Sequence, residues 1–153
     1  MIAVDRSREV LDRGRALASR RKLHNITWKL GSLERLPIPD RSVDLALLSQ
    51  ALHHAAEPER ALAEAHRILR PSGRVLVLDL RQHEEAWVRS KLGDRWLGFT
   101  DARLKTLLRE AGFEHVKVQV GATRSGDPFT VLTAVGRRPA RASSRRTDRK
   151  GHR

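Results

Sequence analysis

Two apolar runs constrain this chain more than any other feature. Val43-Asp44-Leu45-Ala46-Leu47-Leu48-Ser49 and Arg74-Val75-Leu76-Val77-Leu78-Asp79-Leu80 are almost unbroken in aliphatic residues. Such runs predict parallel strands covered on both faces. Between them Pro58 suits the first turn of a helix, where its missing N–H costs nothing. Ala61, Leu62, Ala65, Ile68 and Leu69 then form an apolar stripe at helical spacing, and Pro71-Ser72-Gly73 breaks it. A strand, a covering helix and a second strand make one crossover unit of an α/β sheet.

The flanking segments extend the same alternation. Met1-Ile2-Ala3-Val4-Asp5-Arg6-Ser7 reads as a short buried strand ending in an acid, and Ser7 suits a helix cap. The helix over 8–21 carries Val10, Leu11, Leu17 and Ala18 on one face and arginines on the other. Residues 25–30 alternate and are β-rich, Gly31-Ser32 ends them, and 33–42, with Pro37 and Pro39, make a loop. The stretch 84–99, rich in aromatics, predicts a helix. Thr100 or Asp101 caps another that runs to Ala111 and stops at Gly112. Strands near 113–120 and 129–136 are joined by Asp127-Pro128 and predict an antiparallel hairpin. The expected fold class is therefore α/β: a doubly wound, mostly parallel sheet with helices on both faces and a C-terminal antiparallel hairpin.

An acid at the carboxyl end of a strand has a specific use in nucleotide-binding sheets of this kind, where its carboxylate accepts from both ribose hydroxyls. There it normally closes the second strand. No G-x-G-x-x-G run occurs in the chain, so the expected sheet lacks its first strand and glycine-rich loop. Strands 2–5 and 43–49 would then each expose a central edge with unpaired N–H and C=O groups.

Composition bounds the chemistry. Cysteine is absent, which excludes disulfides, thiol catalysis and thiolate metal sites. No apolar run approaches the roughly 18 residues of a membrane span, and no secretory signal pattern is visible. A cytoplasmic protein with no membrane contact is expected. Residues 137–153 hold eight Lys/Arg and one Asp, a net +7 out of +13 for the chain. That tail has no large apolar side chain and predicts disorder. It suits solubilisation or weak, salt-sensitive contact with nucleic acid.

Four segments carry a family resemblance: IAVDRS at 2–7, LPIPDRSVDLALLSQALHH at 36–54, LRPSGRVLVLDL at 69–80 and LLREAGF from 107. They resemble the class I S-adenosylmethionine-dependent methyltransferases, with their Rossmann-like sheet, and especially the methyltransferase type 11 branch near the quinone-biosynthesis enzymes. EEAWVRSKLGDRWLGF at 84–99 looks like the subset fused behind arsenic-repressor-type regulators. The resemblance covers about residues 1–136, a partial methyltransferase domain, N-terminally truncated and followed by the tail. It implies S-adenosyl-L-methionine as cofactor and a small-molecule methyl acceptor. By it Asp5 binds the ribose hydroxyls and Arg6 lies beside the adenine. Ser32 and Leu33 stand where the family places an adenine-binding acid and the backbone N–H that follows it. The Ser32 hydroxyl can still accept a hydrogen bond, but without charge it holds less tightly. Ser49 and Gln50 pass beside the methionine part.

The other candidates have competing readings. His54 is the candidate proton acceptor near the substrate. A metal site at His53-His54 is not expected, because adjacent residues usually diverge; one packed and one exposed histidine is the alternative. Trp87, Trp96 and Phe99 suit either a wall over the acceptor or core packing. His83-Glu84-Glu85 lacks the second histidine of a metalloprotease helix, since position 87 is Trp. The expected activity is methyl transfer, with poor cofactor binding by the chain as it stands. The rival is a non-catalytic remnant that acts by protein or nucleic-acid binding.

Overall fold

A computed structural model describes residues 1–123 and 125–140. In chain order the elements are β1 (Ile2–Asp5), α1 (Arg8–Arg20), β2 (Thr27–Leu30), β3 (Val43–Ser49), a 3₁₀ turn (Leu52–His54), α2 (Pro58–Ile68), β4 (Leu69–Leu80), α3 (Trp87–Lys91), α4 (Asp101–Glu110), β5 (Glu114–Thr123) and β6 (Thr130–Arg137). The fold is α/β, as expected. The pairs β1–β2 and β3–β4 are parallel, whereas β6 runs antiparallel to both β4 and β5. The expected hairpin is thus β5–β6. The strands form two groups, β1-β2 and β3-β4-β6-β5, and among the described residues no ladder joins β1 to β3.

Local chemistry accounts for the helix ends. Ser7 and Thr100 cap α1 and α4 by accepting from the amides of Val10 and Arg103. Pro58 starts α2, and Gly112, at φ 93°, ends α4 in the left-handed region. The α2 stripe packs as its spacing predicts, with Ala61, Leu62, Ala65, Ile68 and Leu69 all buried. They meet Val75 and Val77 of β4, Leu104, Leu107 and Leu108 of α4, and Leu132 and Ala134 of β6 in one core. Each large aliphatic chain buried there contributes about 1.5–3 kcal/mol.

Several expectations need correction. Helices α2 and α4 cover one face of the larger sheet, so only alternate residues of β3 are buried: Ala46 and Leu48 are inside, whereas Leu45 and Leu47 are each 57% exposed. In α1 Leu11 and Ala18 are buried, but Val10 and Leu17 stay half-exposed. That helix meets β2 at Gly14, where a Cβ would lie 2.6 Å from the Trp28 ring; the face bearing Val10 and Leu17 stays open to solvent among the described residues. Strand β4 begins at Leu69 rather than Arg74. The Pro71-Ser72-Gly73 break is a bulge within the strand, since β3 pairs first with Leu69 and next with Arg74.

The helix expected over 84–99 is short. Gly93 and Gly98 take positive φ, and the Arg95 and Trp96 amides donate to the His53 carbonyl. These bonds draw the chain off the helical path and back toward the sheet. Gly98 passes so close to β4 that a Cβ would sit 2.5 Å from the Arg81 carbonyl oxygen.

The first residues of the expected basic tail lie within the described structure. Arg137 ends β6, and the Arg138 guanidinium donates to the carbonyls of His66, Arg67 and Leu69, at the carboxyl end of α2. A cation there complements the helix dipole. The expected disorder and nucleic-acid contact of the tail from 141 onward lie outside the described residues. Beside Arg138, burial and the guanidinium charge hold the His66 imidazole below its usual range. The folded state therefore favours neutral His66, and this group costs stability as pH drops below about 6.5. Among the described residues no helix is long and apolar enough to cross a membrane.

Candidate functional site

The strands β1, β2 and β3 end around one cavity, and the site is built from the turn after each. Asp5 closes β1, and its Oδ1 accepts from the Ser7 amide at 2.7 Å. After β2, Ser32 begins a turn in which its Oγ accepts from the Glu34 amide at 3.2 Å and its carbonyl from the Arg35 amide. After β3, Gln50 takes φ 50° and donates its amide to the Leu78 carbonyl at 2.7 Å. This left-handed residue turns the chain out of the sheet and into the 3₁₀ turn. Backbone strain of this kind is concentrated at ligand sites.

Between these ends lies a half-open cavity of about 240 Å³. Asp5, Arg6, Ser32, Leu33, Ser49, Gln50 and His54 all line it. The structure thus brings the residues expected to hold the cofactor, together with His54, to one cavity from three separate segments. Glu34 and Arg95 line it too and were not expected. Glu34 has a second task, since its Oε1 accepts from the Glu57 amide at the start of α2. Trp87, Trp96 and Phe99 are absent from the wall. Phe99 is core, Trp96 donates Nε1 to the Ala55 carbonyl, and Trp87 packs on Phe129. His83 also packs edge-on against Phe129.

Beneath the cavity floor is a buried polar hub. Asp79, fully buried near the end of β4, accepts from the Leu52 amide at 2.8 Å, the His53 amide at 3.4 Å and the Leu80 amide at 2.7 Å. His53 Nδ1 lies 2.7 Å from Asp79 Oδ1. A carboxylate that only accepts requires the proton on Nδ1. One buried acid therefore fixes the 3₁₀ turn and the tautomer of its histidine. Sequence reading missed Asp79, although a lone acid inside an otherwise aliphatic strand is the available signal. His53 is buried and His54 about one-third exposed, the packed-and-exposed pair anticipated. Their rings nevertheless lie close, with centroids 4.1 Å apart.

The sequence can be placed among known proteins on this geometry. A profile described as "Methyltransferase domain" matches residues 1–77. The chain belongs to the class I S-adenosylmethionine-dependent methyltransferase family. This domain is 30% identical over 124 residues to an arsenite methyltransferase of Halobacterium salinarum, covering 77% of this chain and 32% of that protein. It is 38% identical over 82 residues to a ubiquinone/menaquinone biosynthesis C-methyltransferase of Rubrivivax gelatinosus, covering 52% of this chain and 33% of that one. The methyltransferase chain thus spans about a third of each of these relatives. Its fold superposes on the crystal structure of the [4+2]-cyclase SpnF with a TM-score of 0.76 at 21% identity, covering 91% of this chain and 66% of that one. The Rossmann-like α/β fold expected of the family is observed, with its strands in two groups.

Proposed function

We propose that the cavity at the β1–β2–β3 edge holds the nucleoside half of S-adenosylmethionine, and that the domain serves methyl transfer to a small-molecule acceptor. The observation that carries this reading is the convergence of the Asp5 carboxylate, the Ser32-Leu33 turn and the Ser49-Gln50 strand end on one cavity. The donor set fits a nucleoside. Asp5 commits Oδ1 to the Ser7 amide, which leaves Oδ2 to accept from ribose hydroxyls. Among the described residues the Leu33 amide donates to no other group, so it is available to an adenine ring nitrogen. Ser32 Oγ retains a lone pair for the adenine amino group. Arg6 flanks the base, and Ser49 and Gln50 border the methionine part.

S-adenosylmethionine supplies a methyl group already activated by its sulfonium charge. The work left to the chain is alignment, and orientation alone is worth effective molarities of roughly 10⁵ M or more. An extended catalytic array is unnecessary for such a step. His54 is the residue we assign to the acceptor side. Its Nδ1 is buried toward Asp94, which leaves Nε2 as the ring nitrogen for hydrogen bonding to the acceptor. The two named relatives differ in acceptor, arsenite in one and a carbon centre in the other, so the acceptor class remains "small molecule". The cavity, about 240 Å³, is below the roughly 300–1,000 Å³ typical of ligand sites; it suits part of the cofactor and points to weak, rapidly exchanging binding.

Asp5 provides the test. Asp5→Ala removes a charged acceptor worth about 1.5–3 kcal/mol, so affinity for S-adenosylhomocysteine should drop roughly 10- to 100-fold by calorimetry. Asp5→Asn keeps an acceptor for Ser7 and should show an intermediate loss. Unchanged affinity in both variants, with native circular dichroism, would remove Asp5 from the site and the reading with it.

A further inference from the structure

We propose that His53, His54 and Asp94 form a binding site for one first-row divalent cation of the zinc class, under the wall of the cavity. His53 Nε2 lies 3.7 Å from Asp94 Oδ1, and His54 Nδ1 lies 3.5 Å from the same oxygen. All three ligand atoms fall within 4.8 Å of one another. Three donors at about 2.1 Å from a tetrahedral centre stand roughly 3.4 Å apart. The two contacts to Asp94 therefore need to close by only a few tenths of an ångström, and the two histidine nitrogens must draw together within their 4.8 Å limit.

The protonation pattern makes this spot need a cation. Asp79 holds the proton of His53 on Nδ1, which leaves Nε2 as a lone pair 3.7 Å from a carboxylate oxygen. That carboxylate belongs to a side chain only 2% exposed. Asp94 Oδ1 and His54 Nδ1 are both buried and have no hydrogen-bond partner. Whichever nitrogen of His54 carries its proton, Asp94 Oδ1 makes no hydrogen bond, and a buried carboxylate oxygen with neither a partner nor a positive charge is strongly unfavourable. A proton on His53 Nε2 does not resolve this, because 3.7 Å is beyond hydrogen-bond reach and His54 Nδ1 stays unpaired. A dication engages all three atoms and balances the charges of Asp79 and Asp94. The Asp79–His53 bond is itself the arrangement that orients ligating histidines in metal sites.

Three protein ligands leave a fourth position open. His54 lines the cavity, and so does Arg95, the residue after Asp94. The ligand set is nitrogen and oxygen only, which suits zinc, cobalt or nickel rather than a soft-metal site. The site does not depend on the cofactor reading; it would remain if the cavity bound something else.

The test uses the full chain, stripped with chelator and titrated with Co²⁺. One equivalent should bind and give the intense visible bands of a tetrahedral centre, and Zn²⁺ should abolish them. His54 is partly exposed, so His54→Gln should fold normally, as read by circular dichroism, and weaken Co²⁺ binding at least tenfold. Asp94→Asn should do the same. His24→Gln, outside the cluster, should bind as the parent does. Absence of a tetrahedral spectrum, or Co²⁺ uptake that is unaffected by His54→Gln, would overturn the proposal. So would a nitrogen spectrum showing His53 protonated at both ring positions in the presence of Zn²⁺.

Discussion

Replacing Asp79 with alanine is expected to destabilise the protein by about 3–5 kcal/mol, the range for removing one partner from a buried charged network. The carboxylate accepts from three backbone amides and the His53 ring, and it is fully buried. Without it the Leu52, His53 and Leu80 amides lose their acceptor away from water, each at about 1–3 kcal/mol before relaxation. Leu52, itself fully buried, would no longer be held in the 3₁₀ turn. For a domain of this size the loss corresponds to a drop of about 6–20 °C in melting temperature. Asp79→Asn keeps an oxygen for the Leu52 and His53 amides, a neutral His53 can change tautomer, and only the Leu80 amide loses its acceptor, so its cost should be about 1–2 kcal/mol. Differential scanning calorimetry separates the two. Similar, small losses for both variants would contradict the hub.

The second large effect is expected at Arg67. Its guanidinium bonds Glu64 at 2.7 Å and 2.8 Å, Asp40 at 2.6 Å, and the carbonyls of Ile38 and Leu36 at 2.9 Å and 3.1 Å. Glu64 in turn accepts from the Leu36 amide at 2.7 Å. One side chain thus ties the proline-rich loop to α2 and places Ile38 in the core. The site is partly open to solvent, which screens the pairs, so Arg67→Met should cost about 2–3 kcal/mol rather than the full sum of its bonds. The hydrogen bond from Arg67 is the main reason Glu64 titrates below the usual carboxylate range. A depressed folded-state pKa stabilises above the unfolded value and is lost as pH falls through the folded one. The gap between parent and Arg67→Met should therefore narrow below about pH 4 as Glu64 protonates. Urea unfolding at neutral and acid pH measures it. A gap independent of pH would assign the stabilisation to the carbonyl contacts alone.

Much of the fold was legible because its signals are local. Ser7, Thr100, Pro58 and Gly112 mark helix ends by their own chemistry, and each stands where that chemistry placed it. The expected cofactor residues converge because they sit at the carboxyl ends of β1, β2 and β3, so their placement follows from topology without side-chain detail. Features that depend on a distant partner were hidden. Val10 and Leu17 obey helical periodicity, yet periodicity reports a face, not what meets it. The aromatic stretch after Glu84 looked helical because its spacing is, whereas its path is set by bonds from Arg95 and Trp96 to His53, some forty residues earlier. Asp94 carries no local signal; only that same fold-back brings it to the two histidines. Arg138 looked like part of a basic tail because its composition is tail-like, but its partners are the carbonyls ending α2.

The most direct measurement of cofactor binding at the β1–β2–β3 edge is a ¹⁵N-edited amide titration of the chain with S-adenosylhomocysteine. Saturable shifts in fast exchange are expected, largest at Arg6, Leu33 and Gln50 and negligible along β5 and β6. Shifts centred on the hairpin, or none at ligand concentrations of about 5 mM, where even millimolar affinity populates the complex, would contradict it.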